Sequence, residues 1–154
     1  MPSEADAGPG LAERYFWAGH ANPWSVWTFV ATYPLLVLAI YRREQRLLAA
    51  ILLFVAVNPL LSPEPEDDSA LATRVVLGER VWLDDGLLSS VSNLLFVVAT
   101  APVQLYTLRA AVTRQPARTA AGTLCSLVLM LVFFRRMARL YEERATGSRE
   151  MTTV

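Results

Sequence analysis

The chain has 154 residues, with 14 basic residues, all of them arginine, and 14 acidic residues, and its hydrophobic content of 54% is high for a soluble domain. The net charge of zero leaves no basic surface of the kind that nucleic-acid binding requires, so we exclude that class of function. The charged residues cluster between long uncharged runs, which is typical of a chain that crosses a bilayer several times.

The amino-terminal segment, residues 1–18, is polar and begins with acidic and small residues. Its first ten residues lack the basic start, apolar core and cleavage site of a secretory signal, so the first span is expected to be an uncleaved anchor. Residues 11–19 mix aromatic and charged side chains, which favours a short amphipathic helix on the membrane surface.

The motif HANPWSVW, which starts at His20, predicts the beginning of the first membrane helix. Asn22 precedes a proline and is a predicted N-cap, and Pro23 suits the first helical position. Trp24 and Trp27 share a helix face and are typical of a membrane interface. His20 has two interpretations: an interfacial side chain, or a group that binds a metal or carries a proton.

Four uncharged runs have about the length needed to cross hydrocarbon. Pro34 in the first run is interpreted as a kink, and Asn58 in the short second run should face the bundle rather than lipid. Ser89 and Asn93 in the third run are expected to point inward together. The predicted spans are about residues 24–41, 47–62, 87–108 and 119–136.

The connection between the second and third spans has two parts. Residues 63–69 are acidic and rich in proline, which indicates a solvated turn. Residues 70–83 return to helical spacing and favour a short amphipathic helix lying on the membrane; a re-entrant segment that brings Glu79 and Arg80 towards the bundle is the alternative. The residues expected on its apolar face are Leu71, Val75, Gly78 and Trp82.

The fourth run has a face of small residues, and Cys125 on it is expected to be a small core residue that forms neither a disulfide nor a CxxC site. Its helix is expected to continue past the membrane, with Arg139 and Glu143 paired. We therefore predict one membrane domain, residues 19–143, followed by a disordered tail, residues 144–154. The small residues are Ala121, Gly122, Cys125 and Ser126.

Eight polar side chains near the ends of the spans are candidate site residues, because such groups are costly at membrane depth. His20 and Glu79 are the candidates for catalysis, and an ion pair between Glu79 and Arg136 is a further hypothesis. The candidates for binding are Asn22, Asn58, Asn93, Arg136, Tyr141 and Glu142. With one histidine and no HExxH, GxSxG, P-loop or CxxC motif, we expect neither a metal site nor a cofactor.

Four motifs together resemble an uncharacterised prokaryotic family of small integral membrane proteins of unknown function. They are HANPWSVW, the NP pair late in the second span, LGERVWL in the connection and RMARLYEE after the fourth span. The resemblance covers about residues 18–143, departs at Phe29, Arg135, Ala138 and Arg139, and supports membrane placement without implying an activity. The matching positions are His20, Asn22, Pro23, Trp24, Ser25, Trp27, Asn58, Pro59, Gly78, Glu79, Arg80, Arg136, Met137, Tyr141 and Glu142.

These observations predict an all-α protein: a four-helix transmembrane bundle with a short interfacial amphipathic helix between spans 2 and 3. The expected role is that of a structural or interaction protein of the cytoplasmic membrane, with the lipid bilayer, a second copy or another membrane protein as partner. The alternatives are a small-molecule or ion carrier and a membrane-embedded enzyme using His20 and Glu79. Eight arginines on the side of the termini against six on the other favour cytoplasmic termini.

Overall fold

A computed structural model describes the backbone of residues 17–152 and the side chains of residues 17–147. Within that range a short helical segment at 17–20 precedes five α-helices and one 3₁₀ turn. The helices are α1 (Pro23–Arg42), α2 (Gln45–Leu61), α3 (Leu71–Asp84), α4 (Val91–Val112) and α5 (Pro116–Thr152), and the 3₁₀ turn, Leu87–Ser90, leads into α4. The all-α prediction is confirmed. Most of the segment predicted for residues 1–18 lies outside the described residues.

Helix α1 begins as the HANPWSVW motif predicts. The side chain of Asn22 accepts a hydrogen bond of 2.9 Å from the backbone N–H of Trp24, and Pro23 is the first helical residue. Pro34 lies inside α1, where its ring removes one backbone hydrogen bond without ending the helix. The predicted N-cap is therefore confirmed.

Helices α1 and α2 form one antiparallel hairpin, and α4 and α5 form another. Both hairpins close with the same turn. After α1, Arg43 adopts left-handed backbone (φ 59°), its N–H donates to the Ile40 carbonyl, and the N–H of Glu44 donates to Ala39. Arg114 adopts the same conformation after α4 (φ 55°). The equivalent bonds there join Arg114 to Ala111 and Gln115 to Ala110. These are Schellman turns, in which glycine is the usual left-handed residue.

The four long helices pack in the order α2, α1, α4, α5, with α3 placed mainly against α5. Close contact between α4 and α5 depends on Gly122, where a Cβ would lie 2.4 Å from Oγ1 of Thr107. Tyr33 of α1 donates to the side-chain carbonyl of Gln104 in α4 at 2.6 Å. Because α2 packs mainly on α1, most of its apolar surface remains on the outside.

The outer surface of the hairpins is apolar. Leu53 is 66% exposed, Leu95 61% and Leu124 65%, and similar side chains cover the remaining outer faces. Such a surface is unfavourable in water and suits a lipid environment. Three helical stretches, Pro23–Arg42, Leu87–Val112 and Pro116–Gly147, are long and apolar enough to cross a membrane, whereas α2 is a shorter apolar helix of 17 residues.

Several sequence expectations differ from the structure. Ser89 is exposed while Asn93 is buried, because residues 87–90 form a 3₁₀ turn instead of the first turn of the α-helix. Leu71 of α3 is also exposed. Cys125 is exposed, because Gly122 and Ser126 face α4 and the neighbouring residue of a helix points about 100° away.

The carboxyl-terminal part of α5 also differs from expectation. Helix α5 continues to Thr152, where the sequence analysis predicts a tail from residue 144. Among the side chains that the structure describes, Arg139 and Glu143 form no ion pair. The extension of α5 beyond the apolar stretch is instead used for packing against α3.

Candidate functional site

The eight candidate polar side chains all lie at one end of the two hairpins, where α1 and α4 begin and where α2 and the apolar part of α5 end. We call this region the polar end; it also includes α3 and the loop before it. Its candidate residues are His20, Asn22, Asn58, Glu79, Asn93, Arg136, Tyr141 and Glu142.

The end of α2 is fixed to the start of α1. The buried amide of Asn58 donates to the Ser25 backbone carbonyl at 3.1 Å and to its hydroxyl at 2.9 Å. A Cβ on Gly19 would lie 1.7 Å from the Pro59 carbonyl oxygen, so only glycine permits this contact. Asn22 adds a bond from its amide to the Pro63 carbonyl at 2.9 Å. Asn58 therefore faces the bundle, as the sequence analysis predicts.

Helix α3 is held against both the HANPWSVW segment and α5. The hydroxyl of Thr73 donates to the Ala21 carbonyl at 2.9 Å, and both residues are buried. Gly78 lies against the backbone of Met137, and Met137 has no solvent exposure. Ala72, Val75, Val76 and Trp82 of α3 join one apolar core with Val26, Phe134 and Ala138.

Arg136 joins α5 to the beginning of α4. Its Nε donates to Oδ1 of Asn93 at 3.0 Å, and a terminal nitrogen donates to the Ser92 hydroxyl at 2.5 Å. The guanidinium carbon also lies 5.3 Å from the centre of the Phe96 ring, a cation–π distance. The hypothesised ion pair with Glu79 is absent among the described side chains, because these neutral groups surround the guanidinium.

Tyr141 and Glu142 fix the extension of α5 to the connection. Tyr141 donates to a carboxylate oxygen of Asp68 at 2.8 Å. Arg74 of α3 donates to Glu142 at 2.5 Å. Both pairs are largely exposed, so their charges add little to the free energy of folding. Their hydrogen bonds serve mainly to position the extension of α5 against the connection.

Glu79 and His20 have different surroundings from the other six residues. Burial raises the pKa of Glu79 to about 7, and no described side chain forms a hydrogen bond or ion pair with its carboxylate. Helical geometry places Glu79 on the same side of α3 as the buried residues Ala72 and Val75. Burial lowers the pKa of His20, whose ring meets Trp17 edge-on with centres 6.2 Å apart.

A cavity of about 370 Å³ opens between the 17–21 segment, the acidic loop and α3. Its lining includes none of the eight candidates. The residues that line it are Trp17, Ala18, Ala21, Glu64, Pro65, Asp67, Asp68, Thr73, Val76, Leu77 and Arg80. Hydrogen bonds from Ser69 lower the pKa of Asp67. The acidic, proline-rich composition of this loop predicts a solvated turn and not a cavity wall. The one sequence signal for the cavity is the spacing of Thr73, Leu77 and Arg80, which places them on one face of α3.

In the part of the chain described, no cluster of three or more histidine, cysteine or acidic side chains forms a possible metal site. The cavity instead combines three carboxylates with one guanidinium and an indole ring.

The matching family model is a family of unknown function, DUF6653, and it covers residues 7–154. The chain belongs to the DUF6653 family. The model covers the whole polar end of this DUF6653 protein as well as both hairpins. No curated protein and no solved structure matches the chain.

Proposed function

We propose that this DUF6653 protein is a four-span integral protein of a prokaryotic cytoplasmic membrane, with a structural or interaction role carried by its polar end. The observation that supports this role is the use of the polar groups. Asn58, Asn93 and Arg136 bond to other parts of the same chain and fix the helix ends in place. These bonds hold the helix ends in fixed positions, which supports a surface for contact with a partner.

The proposal of four spans depends on α2. At 1.5 Å per residue its 17 residues extend about 25 Å, a little less than a hydrocarbon core of about 30 Å. Its end bonds to the start of α1 through Asn58, and its beginning follows the Arg43 turn. Since α2 thus runs the length of α1, a membrane that contains α1 would also contain α2. Local thinning of the bilayer accommodates the difference.

We further propose that α3 is the interfacial helix. It packs on the part of α5 that follows the apolar stretch, and its Arg74 and Arg80 remain partly exposed. A re-entrant position would bring both guanidinium groups into hydrocarbon at a cost of several kcal/mol, on the order of 2.5–3.5 kcal/mol for each.

Topology is tested by single cysteines in a Cys125→Ala background, labelled with a membrane-impermeant maleimide in intact cells and in inverted vesicles. Glu44→Cys and Gln115→Cys should react from one side, and Asp67→Cys and Glu143→Cys from the other. Reaction of Glu44→Cys and Asp67→Cys from the same side would exclude α2 as a span. We expect the termini on the cytoplasmic side, where the arginine count is eight against six.

The interaction role is tested by photocrosslinking from exposed positions of the polar end in intact membranes. A photocrosslinking amino acid that replaces Arg139 or Glu143 should give one adduct of defined mass. That adduct is either a dimer of this chain or a complex with one partner. The control position is Leu53, which is exposed on the apolar outer face of α2 and should give lipid adducts only. If all three positions give the same mixture of adducts of many masses, the protein has no defined partner at its polar end.

The cavity favours a second candidate function, binding or transport of a small cationic or zwitterionic solute. Carboxylates and the Trp17 ring suit an ammonium group, and Arg80 suits a carboxylate or phosphate. Choline, ethanolamine and glycine are suitable probes in a thermal-shift assay and in liposome flux. Glu64→Gln should weaken binding of the cationic probes, whereas Glu66→Gln, which does not line the cavity, should not.

A membrane-embedded enzyme using His20 and Glu79 has less support. Neither side chain lines the cavity, and Glu79 lies on a different face of α3 from the cavity residues Thr73 and Arg80. An activity screen that compares the wild type with Glu79→Gln tests this alternative. If Glu79 is a general base, the variant should show a large loss of turnover.

A further inference from the structure

An apolar groove lies between α1 and α5, at the opposite end of the molecule from the cavity. Its volume is about 470 Å³. The lining residues are Pro34, Val37, Leu38, Tyr41, Pro116, Thr119, Ala120, Thr123, Leu124 and Leu127. Apart from Tyr41, the polar side chains of the groove are Thr119 and Thr123, whose hydroxyls donate to the backbone carbonyls of Gln115 and Thr119. The groove therefore presents a hydrocarbon surface.

The length of the groove along α5 matches the hydrocarbon thickness of one bilayer leaflet. Along α5 it extends from Pro116 to Leu127, which at 1.5 Å per residue is about 16 Å. Half of a hydrocarbon core of about 30 Å is about 15 Å. Since Pro116 and Tyr41 lie at the turns, the groove runs from the surface of the bilayer to its middle. This is the depth that one acyl chain of a phospholipid occupies.

The mouth of the groove is basic. The two turns and the adjoining helix ends carry six arginines and one carboxylate, that of Glu44; we call this region the basic end. Its arginines are Arg42, Arg43, Arg46, Arg109, Arg114 and Arg118. Arg42 lies 3.8 Å from Glu44, and Arg118 donates to Gln115. Arg43 and Arg114 form neither a side-chain hydrogen bond nor an ion pair with the described residues.

Arg43 and Arg114 also occupy unfavourable backbone positions. Each is the left-handed residue of a Schellman turn, where glycine would be unstrained and a residue with a Cβ is not. The same unusual choice in both turns indicates that the guanidinium groups are required there, because strain of this kind persists where function needs it.

The geometry points to a binding site for one anionic phospholipid, with an acyl chain in the α1–α5 groove and its phosphate between Arg43 and Arg114. The arginines at the mouth are opposite in charge to a lipid phosphate. The apolar wall and the length of one leaflet match an acyl chain, which a soluble phosphate lacks. The inference rests on the membrane placement proposed above, and cysteine labelling tests that placement independently of lipid binding.

The experiment is a titration of the purified, delipidated protein in detergent with phosphatidylglycerol and, separately, with phosphatidylcholine, followed by native mass spectrometry. One tightly bound phosphatidylglycerol per chain is expected, with at least tenfold weaker retention of phosphatidylcholine. Equal retention of the two lipids would overturn the proposal. Inorganic phosphate should not compete, and competition by phosphate would mean that the groove is not part of the site.

Variants separate this site from a structural role of the turns. Arg43→Gly and Arg114→Gly should each weaken phosphatidylglycerol binding about fivefold, while raising the Tm of the lipid-free protein because the strain is relieved. Arg135→Ala at the polar end is the charge-matched control and should change neither lipid affinity nor selectivity. Unchanged phosphatidylglycerol affinity in both glycine variants would overturn the role of the arginines.

The groove itself is tested by filling it. Ala120→Phe should abolish selective retention of phosphatidylglycerol, and Ala121→Phe, which lies outside the groove on the same exposed part of α5, should leave it unchanged. If Ala120→Phe instead converts a dimer into a monomer without altering lipid retention, the groove is an interface between two copies and the proposal is wrong.

Discussion

Gly78 of α3 lies so close to Met137 of α5 that a Cβ on the glycine would be 2.0 Å from the Met137 carbonyl oxygen. The neighbouring group is backbone in the middle of a helix, so it cannot move as a flexible side chain would. This single contact sets the distance between α3 and the extension of α5. It also explains why a glycine stands in the middle of α3 despite its poor helix propensity.

Gly78→Ala should therefore destabilise the protein by about 1–3 kcal/mol, since α3 must move away from α5 or distort. The measurement is the free energy of unfolding in mixed micelles, followed by circular dichroism. Gly147→Ala is the matched control, because a Cβ at that exposed helical position meets no atom within 4 Å. The control should be neutral or stabilising by up to about 1 kcal/mol. Equal effects of the two substitutions would contradict the close contact.

The hydrogen bond between Asn58 and Ser25 should stabilise the α1–α2 hairpin. A double-mutant cycle with Asn58→Ala and Ser25→Ala should give a coupling energy of about 0.6 kcal/mol and at most about 1.7 kcal/mol, the range for bonds between membrane helices. Ser62→Ala serves as control, because its hydroxyl bonds to the Asn58 carbonyl within α2. A coupling energy of zero for the first pair would show that the bond between the Asn58 amide and the Ser25 hydroxyl does not stabilise the hairpin, since the bond to the Ser25 backbone carbonyl is kept in Ser25→Ala.

Arg136→Lys tests the connection between α5 and α4. A lysine ammonium lacks the planar fork that donates to Asn93 and Ser92 together, so we expect a loss of about 1.5–3 kcal/mol in the free energy of unfolding. Arg135→Lys changes the adjacent, exposed guanidinium in the same way and should cost less than about 0.5 kcal/mol. If the two variants unfold alike, charge alone is sufficient at position 136.

Glu79 should make stability depend on pH. Burial raises its pKa from the ordinary 4.5 to about 7, so the folded protein holds this proton more tightly than the unfolded chain. The stabilisation is complete below pH 4.5 and is lost as the pH rises to about 7, by up to about 3 kcal/mol. The measurement is the Tm of the wild type between pH 4.5 and 8.

Glu79→Gln removes this dependence and should be more stable than the wild type at pH 8. Burial lowers the pKa of His20, so His20 destabilises the fold as the pH falls, opposite to the effect of Glu79. Because both proteins contain His20, the difference between their Tm values reports Glu79 alone. Glu143→Gln, at an exposed position of α5, should follow the wild-type curve. A wild-type Tm that rises steadily from pH 5 to pH 8 relative to Glu79→Gln would be the opposite result.

The sequence alone determined most of the helices and the apolar runs, but it predicted neither the helix beyond residue 144 nor the 3₁₀ turn at Leu87–Ser90. Asn22 and Pro23 specify the start of α1 locally, through backbone geometry and one side-chain hydrogen bond, and long uncharged runs specify α1, α4 and α5 by composition. These properties depend on residues near one another in the chain, so pattern and spacing were sufficient.

The tertiary structure decided which polar groups meet. Arg136 bonds to Asn93 rather than to Glu79, and Cys125 lies outside while Ser126 lies inside, because the position of each helix face depends on close contacts with a distant helix at Gly78 and Gly122. The cavity and the groove follow from the same packing. A periodic pattern gives the helix but not its rotation against a partner, and that rotation is fixed by contacts between residues far apart in the chain.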